Sequence, residues 1–408
     1  MSRSEWIPAR LAECVATINS GVSVNSDDRP RGPGEVGVLK TSAISAGSFK
    51  AYENKVVAKR DLSRVAEPVL GGSILLSRLN TPQLVGESCY IEADDPSLFL
   101  PDRLWQIRVD SSRVDARWLS YALREPRVAS EIKGLATGTS GSMKNIARSS
   151  FLGISVSVPP IREQRRIAEI LGALGDQISS TEQITAKMSA SRIGLTERLI
   201  TQEFPNATLG SVLLGTPSNG IYKPAHLIGR GALLIGQTAI NSDRRVVSAL
   251  ARRAVVTSTE AQRFSLIPGD ILVSRVFATL EGVGQPALIE HLDEPAVYES
   301  NMMRLRCDDS KADPFFVFQS LLTSAARAHI VSQANLSNQA SISQSVLTGF
   351  PLWLPSMDQQ LRVGQAIRSV EAGIGAERAR LEKLQAVKSG LLADLLTGRV
   401  RVPSEVAS

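Results

Sequence analysis

The sequence predicts a mixed α/β (α+β) chain in which two globular modules alternate with two long helices, the second half repeating the plan of the first. Three observations carry this expectation. The segment VPPIREQRRIAEIL, starting at Val158, aligns with LPSMDQQLRVGQAI, starting at Leu354, at an offset of 196 residues. Self-similarity at one long period marks a duplicated architecture. The register continues without a gap to LTERLIT (195–201) and LLADLLT (391–397). Upstream of each segment, short aliphatic runs bounded by Gly, Pro, Asn and Asp read as strands.

Each element of one half has a counterpart in the other. LKTSAI (39–44) matches IGQTAI (235–240), and GGSILLSR (71–78) matches PGDILVSR (268–275). WQIRV (105–109) resembles MRLRC (303–307), and 115–123 matches 313–321 as a helix opened by an aspartate cap. In the long segments Ile167, Leu171, Leu174, Ile178, Met188, Leu195 and Leu199 match Val363, Ile367, Val370, Ile374, Leu384, Leu391 and Leu395. Steps of four and three make this the seam of a coiled coil, with the two seams packing on each other. Pro159 and Pro160 open the first helix; Pro355, then Ser356 with Gln359 three residues on, opens the second. Each helix is about 40 residues, roughly 60 Å at ~1.5 Å per residue. The expected layout is a module over 1–158, a helix over 159–201, a module over 202–353, a helix over 354–402 and a tail over 403–408.

Composition narrows the function classes. A chain of 408 residues is expected to hold two or more cores. With 43% hydrophobic and 21% charged residues it is not a disordered chain. Lys and Arg number 46 against 40 Asp and Glu, a net charge of +6 with a pI near 9.3, which permits an anionic partner without demanding one. Cys14, Cys89 and Cys307 lie far apart with no CxxC pair, so neither a disulfide framework nor a zinc cluster is expected, and a reducing cytoplasm is the simplest location. No apolar signal core and no run of about 18 apolar residues argue against secretion and membrane insertion. The histidines His226, His291 and His329 show neither HExxH nor HxH spacing, which removes zinc hydrolase chemistry.

Two similar surfaces in one chain suit duplex DNA as a partner. Lys40, Thr41 and Ser42 in the first module, with Gln237 and Thr238 in the second, fall at strand-to-loop corners. Ser77, Arg78 and Asn80 correspond to Ser274 and Arg275 just after the hydrophobic strands. The Gly/Ser-rich stretch TGTSGSMK offers Thr137, Ser140 and Lys144 for phosphate contact; its counterpart QANLSNQAS offers Gln333, Asn335, Asn338 and Gln339. Amides suit adenine edges and arginines suit guanine. An arginine after a strand is also an ordinary solvated edge residue, and a Ser/Gly loop an ordinary turn. What separates the readings is that the Ser-Arg dipeptide occurs in both modules while the loops differ.

Enzyme motifs are missing or misplaced. The glycine spacing of 32–37 is followed by Val38 where a phosphate-binding loop needs lysine. Pro101-Asp102 and Glu131-Ile132-Lys133 spell a PD…ExK nuclease pattern, but Glu131 and Lys133 lie in a helix-like stretch, ALREPRVASEIKGLA, and the second module has Ile330-Val331 at the matching place. A lone fused-dimer regulator and a structural scaffold are the remaining alternatives. No helix-turn-helix pattern favours the regulator.

The segment around Pro159, Pro160, Glu163, Gln164, Arg166, Ile167, Ala168 and Leu171 resembles the specificity subunit of Type I restriction-modification systems. A second occurrence comprises Pro355, Gln360 and Arg362, with LLTG at Leu395, Leu396, Thr397 and Gly398. GGSILLSR and PGDILVSR resemble that family's G-D-I-L-x-S-R element, with Gly71-Gly72-Ser73 departing from its usual corner. The resemblance implies two target-recognition domains, each reading half of a split sequence, and an antiparallel helix pair as spacer. A helix of roughly 60 Å is comparable to about 17 base pairs at ~3.4 Å each. It further implies no chemistry and no cofactor in this chain. Two methyltransferase subunits would bind S-adenosylmethionine, touching Gln164, Arg166, Gln360 and Arg362, and two restriction subunits, where present, would use ATP and Mg.

Overall fold

The computed structural model describes residues 6–138, 143–201, 204–336 and 338–402. The chain divides into two compact units, Met1–Glu182 with Arg380–Ser408, and Gln183–Ala379. Each contains one module and one half of each long helix.

In the first unit a four-stranded antiparallel sheet runs in the order Ser88–Tyr90, Ile74–Ser77, Leu104–Val109, Val15–Ser20. A five-stranded sheet runs Ser26–Asp27, Asn54–Val57, Gly37–Leu39, Asp95–Phe99, Pro68–Val69, with one parallel pair between Gly37–Leu39 and Asp95–Phe99. Every residue of Ile74–Ser77 is buried. The strand's alternation splits its side chains between two cores: Ile74 and Leu76 join Trp105, Trp118 and Phe151, while Leu75 joins Val69, Leu98 and Leu104.

The second unit repeats this plan. Its four-stranded sheet runs Ser218–Asn219, Met302–Leu305, Ile271–Ser274, Pro286–Leu288. A three-stranded sheet of Arg252–Ala254, Ile228–Ile235 and Ala296–Tyr298 again holds one parallel pair. Ile271 and Val273 enter one core and Leu272 the other. Gly21 and Gly220 serve one purpose in both copies: an added Cβ would stand 1.6 Å from the Leu100 carbonyl oxygen and 2.2 Å from that of Glu299, so only glycine lets these backbones pass. In each module the first strand pairs with the last, Ile7–Arg10 with Ser155–Val158 and Ala207–Thr208 with Pro351–Leu352.

Both long helices have 40 residues, Ile161–Ile200 and Met357–Leu396. Pro160 precedes the first. The second opens on a capping box, in which the Gln359 N–H donates to Ser356 Oγ at 3.4 Å and the Ser356 N–H to Gln359 Oε1 at 3.3 Å. They pair antiparallel. In the first unit Ile167 and Leu171 share a core with Leu395 and Leu396; in the second Ile200 shares one with Ile367, and Arg192 bridges Glu371 at 3.4 Å.

Module and helix are joined by a buried amide. Gln164 Oε1 accepts the Asp115 N–H at 2.8 Å, and its Nε2 donates to the carbonyls of Pro159 at 2.8 Å and Arg113 at 3.1 Å. Gln360 does the same, accepting from Asp313 at 2.9 Å and donating to Pro355 at 2.9 Å and Lys311 at 3.4 Å. Asp115 and Asp313 then cap their helices by accepting from the N–H groups of Trp118 at 2.9 Å and Phe316 at 2.8 Å. This corrects the expectation that Gln164 and Gln360 lie on a partner surface. Both are buried, because a carboxamide alone among side chains of this length satisfies an N–H and two carbonyls together. Arg166 and Arg362 remain on the outside, paired within their helix to Glu169 and Asp358.

Gln164→Ala and Gln360→Ala each orphan one buried N–H and two carbonyls. Each should cost about 1–3 kcal/mol, read as a lowered urea midpoint, and the two losses should be similar. A loss in one variant alone would show that the two junctions differ.

Candidate nucleic-acid interface

In both modules the Ser-Arg dipeptide marks a break between strands. Ile74–Ser77 leaves its sheet at Arg78, and Leu79–Asn80 pairs instead with Lys144–Asn145. Ile271–Ser274 leaves at Arg275, and Val276–Phe277 pairs with Ala340–Ser341, which also pairs with Asn335–Leu336. The exit is held alike: the Ile146 N–H donates to the Arg78 carbonyl at 2.9 Å and the Ile342 N–H to the Arg275 carbonyl at 3.0 Å. Residues more than 60 apart in sequence are thereby brought together as a pair of surfaces of one design.

In the first module this surface holds Arg78, Thr137 and Lys144. Arg78 Nε donates to the Asp102 carbonyl at 2.8 Å and Nη1 reaches Asn145 Oδ1 at 3.5 Å. Thr137 and Asn145 exchange backbone hydrogen bonds at 2.9 and 2.8 Å, and Lys144 Nζ donates to the Gly138 carbonyl at 3.1 Å. Ser140 lies outside the described residues. Asn145 escaped sequence reasoning; its only signal was its place beside Lys144.

In the second module Arg275 Nε donates to the Ser300 carbonyl at 3.3 Å. Gln237 Nε2 donates to the Val276 carbonyl at 2.7 Å, which brings that corner to the same strand, while Thr238 is exposed. Gln333, Asn335, Asn338 and Gln339 are all exposed, flanking the 70% exposed Leu336, and Gln333 Nε2 meets the His329 ring at 3.1 Å. Among the described residues neither Arg78 nor Arg275 is bridged by a carboxylate. Each guanidinium is held through Nε by a backbone carbonyl with its charge uncompensated.

Several expected contacts move inward. Ser77, Ser274 and Asn80 are buried. The two serines end central strands with core on both faces, and Ser274 Oγ contacts Met302 sulfur at 3.9 Å. Asn80 braces the turn, donating to Ser77 Oγ at 3.0 Å and accepting the Thr81 N–H at 2.8 Å. Lys40 meets Asp28 at 3.6 Å and Ser42 Oγ donates to Glu53 at 2.7 Å, so their polar groups have acidic partners at their own corner, while Thr41 begins the short turn Thr41–Ala43. For the nuclease pattern, Glu131 and Lys133 sit in the helix Pro126–Gly134, engaged with Arg127 at 3.9 Å and Glu87 at 3.6 Å. Among the described residues no group of three His, Cys, Asp or Glu is placed to hold a metal ion, and no helix is long and apolar enough to cross a membrane. All three cysteines are buried and unpaired, and burial pushes the Cys89 and Cys307 thiols up to about 12.

Residues 4–189 match the family model of the Type I restriction modification DNA specificity domain. This stretch belongs to that family. The specificity domain so defined contains Arg78, Thr137 and Lys144, together with Gln164 and residues 161–189 of the first long helix. Among relatives, the EcoEI specificity subunit of Escherichia coli is 23% identical over 188 residues, 46% of this chain and 31% of that protein. The MjaVIII specificity subunit of Methanocaldococcus jannaschii is 20% identical over 308 residues, 71% of each chain. The chain thus spans about a third of the length of the first relative and most of the second. Of solved structures, a Type I restriction-modification S subunit from M. genitalium superposes with a TM-score of 0.59 at 13% identity, covering 96% of both chains. A chain from work on complex assembly and conformational transition of the Type I R-M system gives 0.58 at 16% identity, covering 97% of this chain and 98% of that one. The fold of these specificity subunits therefore extends over both modules and both helices, beyond the matched domain.

Because each guanidinium is held by one or two hydrogen bonds, Arg78→Ala and Arg275→Ala should leave the fold intact, lowering stability by no more than about 1.5 kcal/mol in thermal or urea unfolding. A larger loss would assign the arginines to the scaffold.

Proposed function

We propose that this chain is the non-catalytic DNA-recognition subunit of a Type I restriction-modification complex. Each module reads one half of a bipartite target, and the helix pair holds two methyltransferase subunits at one spacing. The observation that carries this reading is the repeated strand exit: an arginine with uncompensated charge stands at the same backbone break in both modules, beside loops that differ in sequence. Arg78 and Arg275 are suited to the two acceptors of guanine in the major groove. The exposed amides of Gln333, Asn335, Asn338 and Gln339 suit adenine, and Lys144 and Thr137 suit phosphate. The exposed Arg166 and Arg362 on the helices are the expected methyltransferase contacts. In this reading S-adenosylmethionine belongs to the methyltransferase partner, ATP and Mg belong to a restriction partner where one exists, and the complex works in the cytoplasm.

The test is co-expression with the cognate methyltransferase subunit and mapping of methylated adenines across a genome by long-read sequencing. The expected result is a two-part motif with one gap length. Arg78→Ala should relax or abolish one half and Arg275→Ala the other, each specific contact being worth about 1–3 kcal/mol against the wrong base. Lys144→Ala should weaken methylation without changing the motif, with a salt dependence shallower by about one charge. Absent or random methylation would overturn the proposal. Tight, sequence-specific binding by the chain alone would point instead to a self-sufficient regulator.

A further inference from the structure

The two units differ in charge where module meets helix pair. In the second unit Glu371 is the hub of a partly buried network: it meets Arg192 of the other helix at 3.4 Å, Arg245 of the module at 2.8 Å and Gln319 Nε2 at 3.2 Å. Arg245 also meets Glu290 at 3.2 Å, and its guanidinium lies 4.6 Å from the Phe318 ring centroid. At the helix offset of 196, Glu371 corresponds to Gly175 and Arg192 to Lys388. A Cβ on Gly175 would stand 3.4 Å from Lys388 Nζ. The first unit therefore keeps the helix cation and lacks the carboxylate.

It also keeps a module cation. The Arg124 guanidinium lies 4.9 Å from the Tyr121 ring centroid, as Arg245 lies over Phe318, and its Nε donates to the Ser120 carbonyl at 3.0 Å. Its Nη1 occupies the space over Gly47, where a Cβ would stand 1.4 Å away. Both Arg124 and Lys388 line a cavity of about 930 Å³. Among the described residues neither has a carboxylate within ion-pair distance. Burial, then the neighbouring Arg124 charge, holds the Lys388 ammonium below the usual lysine range, and burial acts likewise on Arg124. Two partly desolvated cations, with Asp176 and Glu182 acting on Lys388 only from beyond ion-pair distance, favour a bound anion.

The acids of the cavity limit its size and charge. Glu92 and Asp95 are paired with Arg117 and Arg31, and Asp94 accepts the Gly71 N–H at 2.7 Å. Asp176 and Glu182 are exposed on the first long helix and would repel a polyanion. We propose that this cleft binds a small oxyanion, a phosphate or a monocarboxylate, which neutralises Arg124 and Lys388 in place of the carboxylate that Glu371 supplies in the other unit.

The test is calorimetric titration of the full chain with inorganic phosphate and, separately, with acetate, at constant ionic strength set by chloride. Saturable one-site binding of either anion is expected, and the anion that binds assigns the ligand. Gly175→Glu restores the missing carboxylate and should weaken that binding at least tenfold, whereas Gly175→Gln, of equal volume and no charge, should bind like the unaltered chain. Lys388→Gln should lose binding as Gly175→Glu does, and decides the question equally well should the glutamate variant fail to fold. No heat beyond that of chloride, or equal binding by the Glu and Gln variants, would overturn the site.

Discussion

Everything in this chain hangs on a carboxamide five residues beyond a proline. Gln164 and Gln360 each tie together the carbonyl before a long helix, the carbonyl of a module loop and the N–H of the aspartate that caps the next module helix. Three backbone groups that would be costly to bury alone are satisfied by one side chain. The direction in which a module leaves its helix is then settled by hydrogen-bond geometry as well as by apolar packing. Because both junctions are built alike, two modules that share little sequence present their strand exits in the same local frame.

That division of labour explains where the sequence is constrained and where it is free. The residues that make the junction, the central strands and the close glycine crossings recur in both halves. Gln333, Asn335, Asn338 and Gln339 are exposed beside two-residue strand pairings, so these side chains can change without disturbing a core. An arginine held through Nε by a carbonyl keeps its charged face available, which suits a residue kept for contact with an anionic partner. Divergence also reaches the contact between module and helix, where the ion-pair hub Glu371 corresponds in sequence to Gly175 of the other copy.

Much of this was legible in the sequence, for physical reasons. The period of 196, the seam of fours and threes, the proline and Ser/Gln helix starts and the aspartate caps are local or periodic signals, and the helices and strands follow them. The partner strands of Leu79–Asn80 and Val276–Phe277 could not be read, because two-residue pairings leave no pattern. Gln164 and Gln360 were visible as a matched pair but misread. A polar residue on an amphipathic helix reads as surface, and only tertiary structure reveals three backbone groups needing a partner. Ser77 and Ser274 failed alike, since a strand buried on both faces hides the usual inside-outside alternation, whereas Asn80 is drawn inward by the hydrogen bonds with which it braces its turn. For Ser140 no position is described.

The central claim is that each module reads its own half-site and that the junction, not the module, sets its placement. The most direct measurement replaces the second module by a copy of the first, retaining both helices and both junctions, and maps adenine methylation in the presence of the methyltransferase partner. The account predicts a palindromic motif made of two inverted copies of the first half-site, at nearly the original gap. Retention of the original second half-site would contradict it.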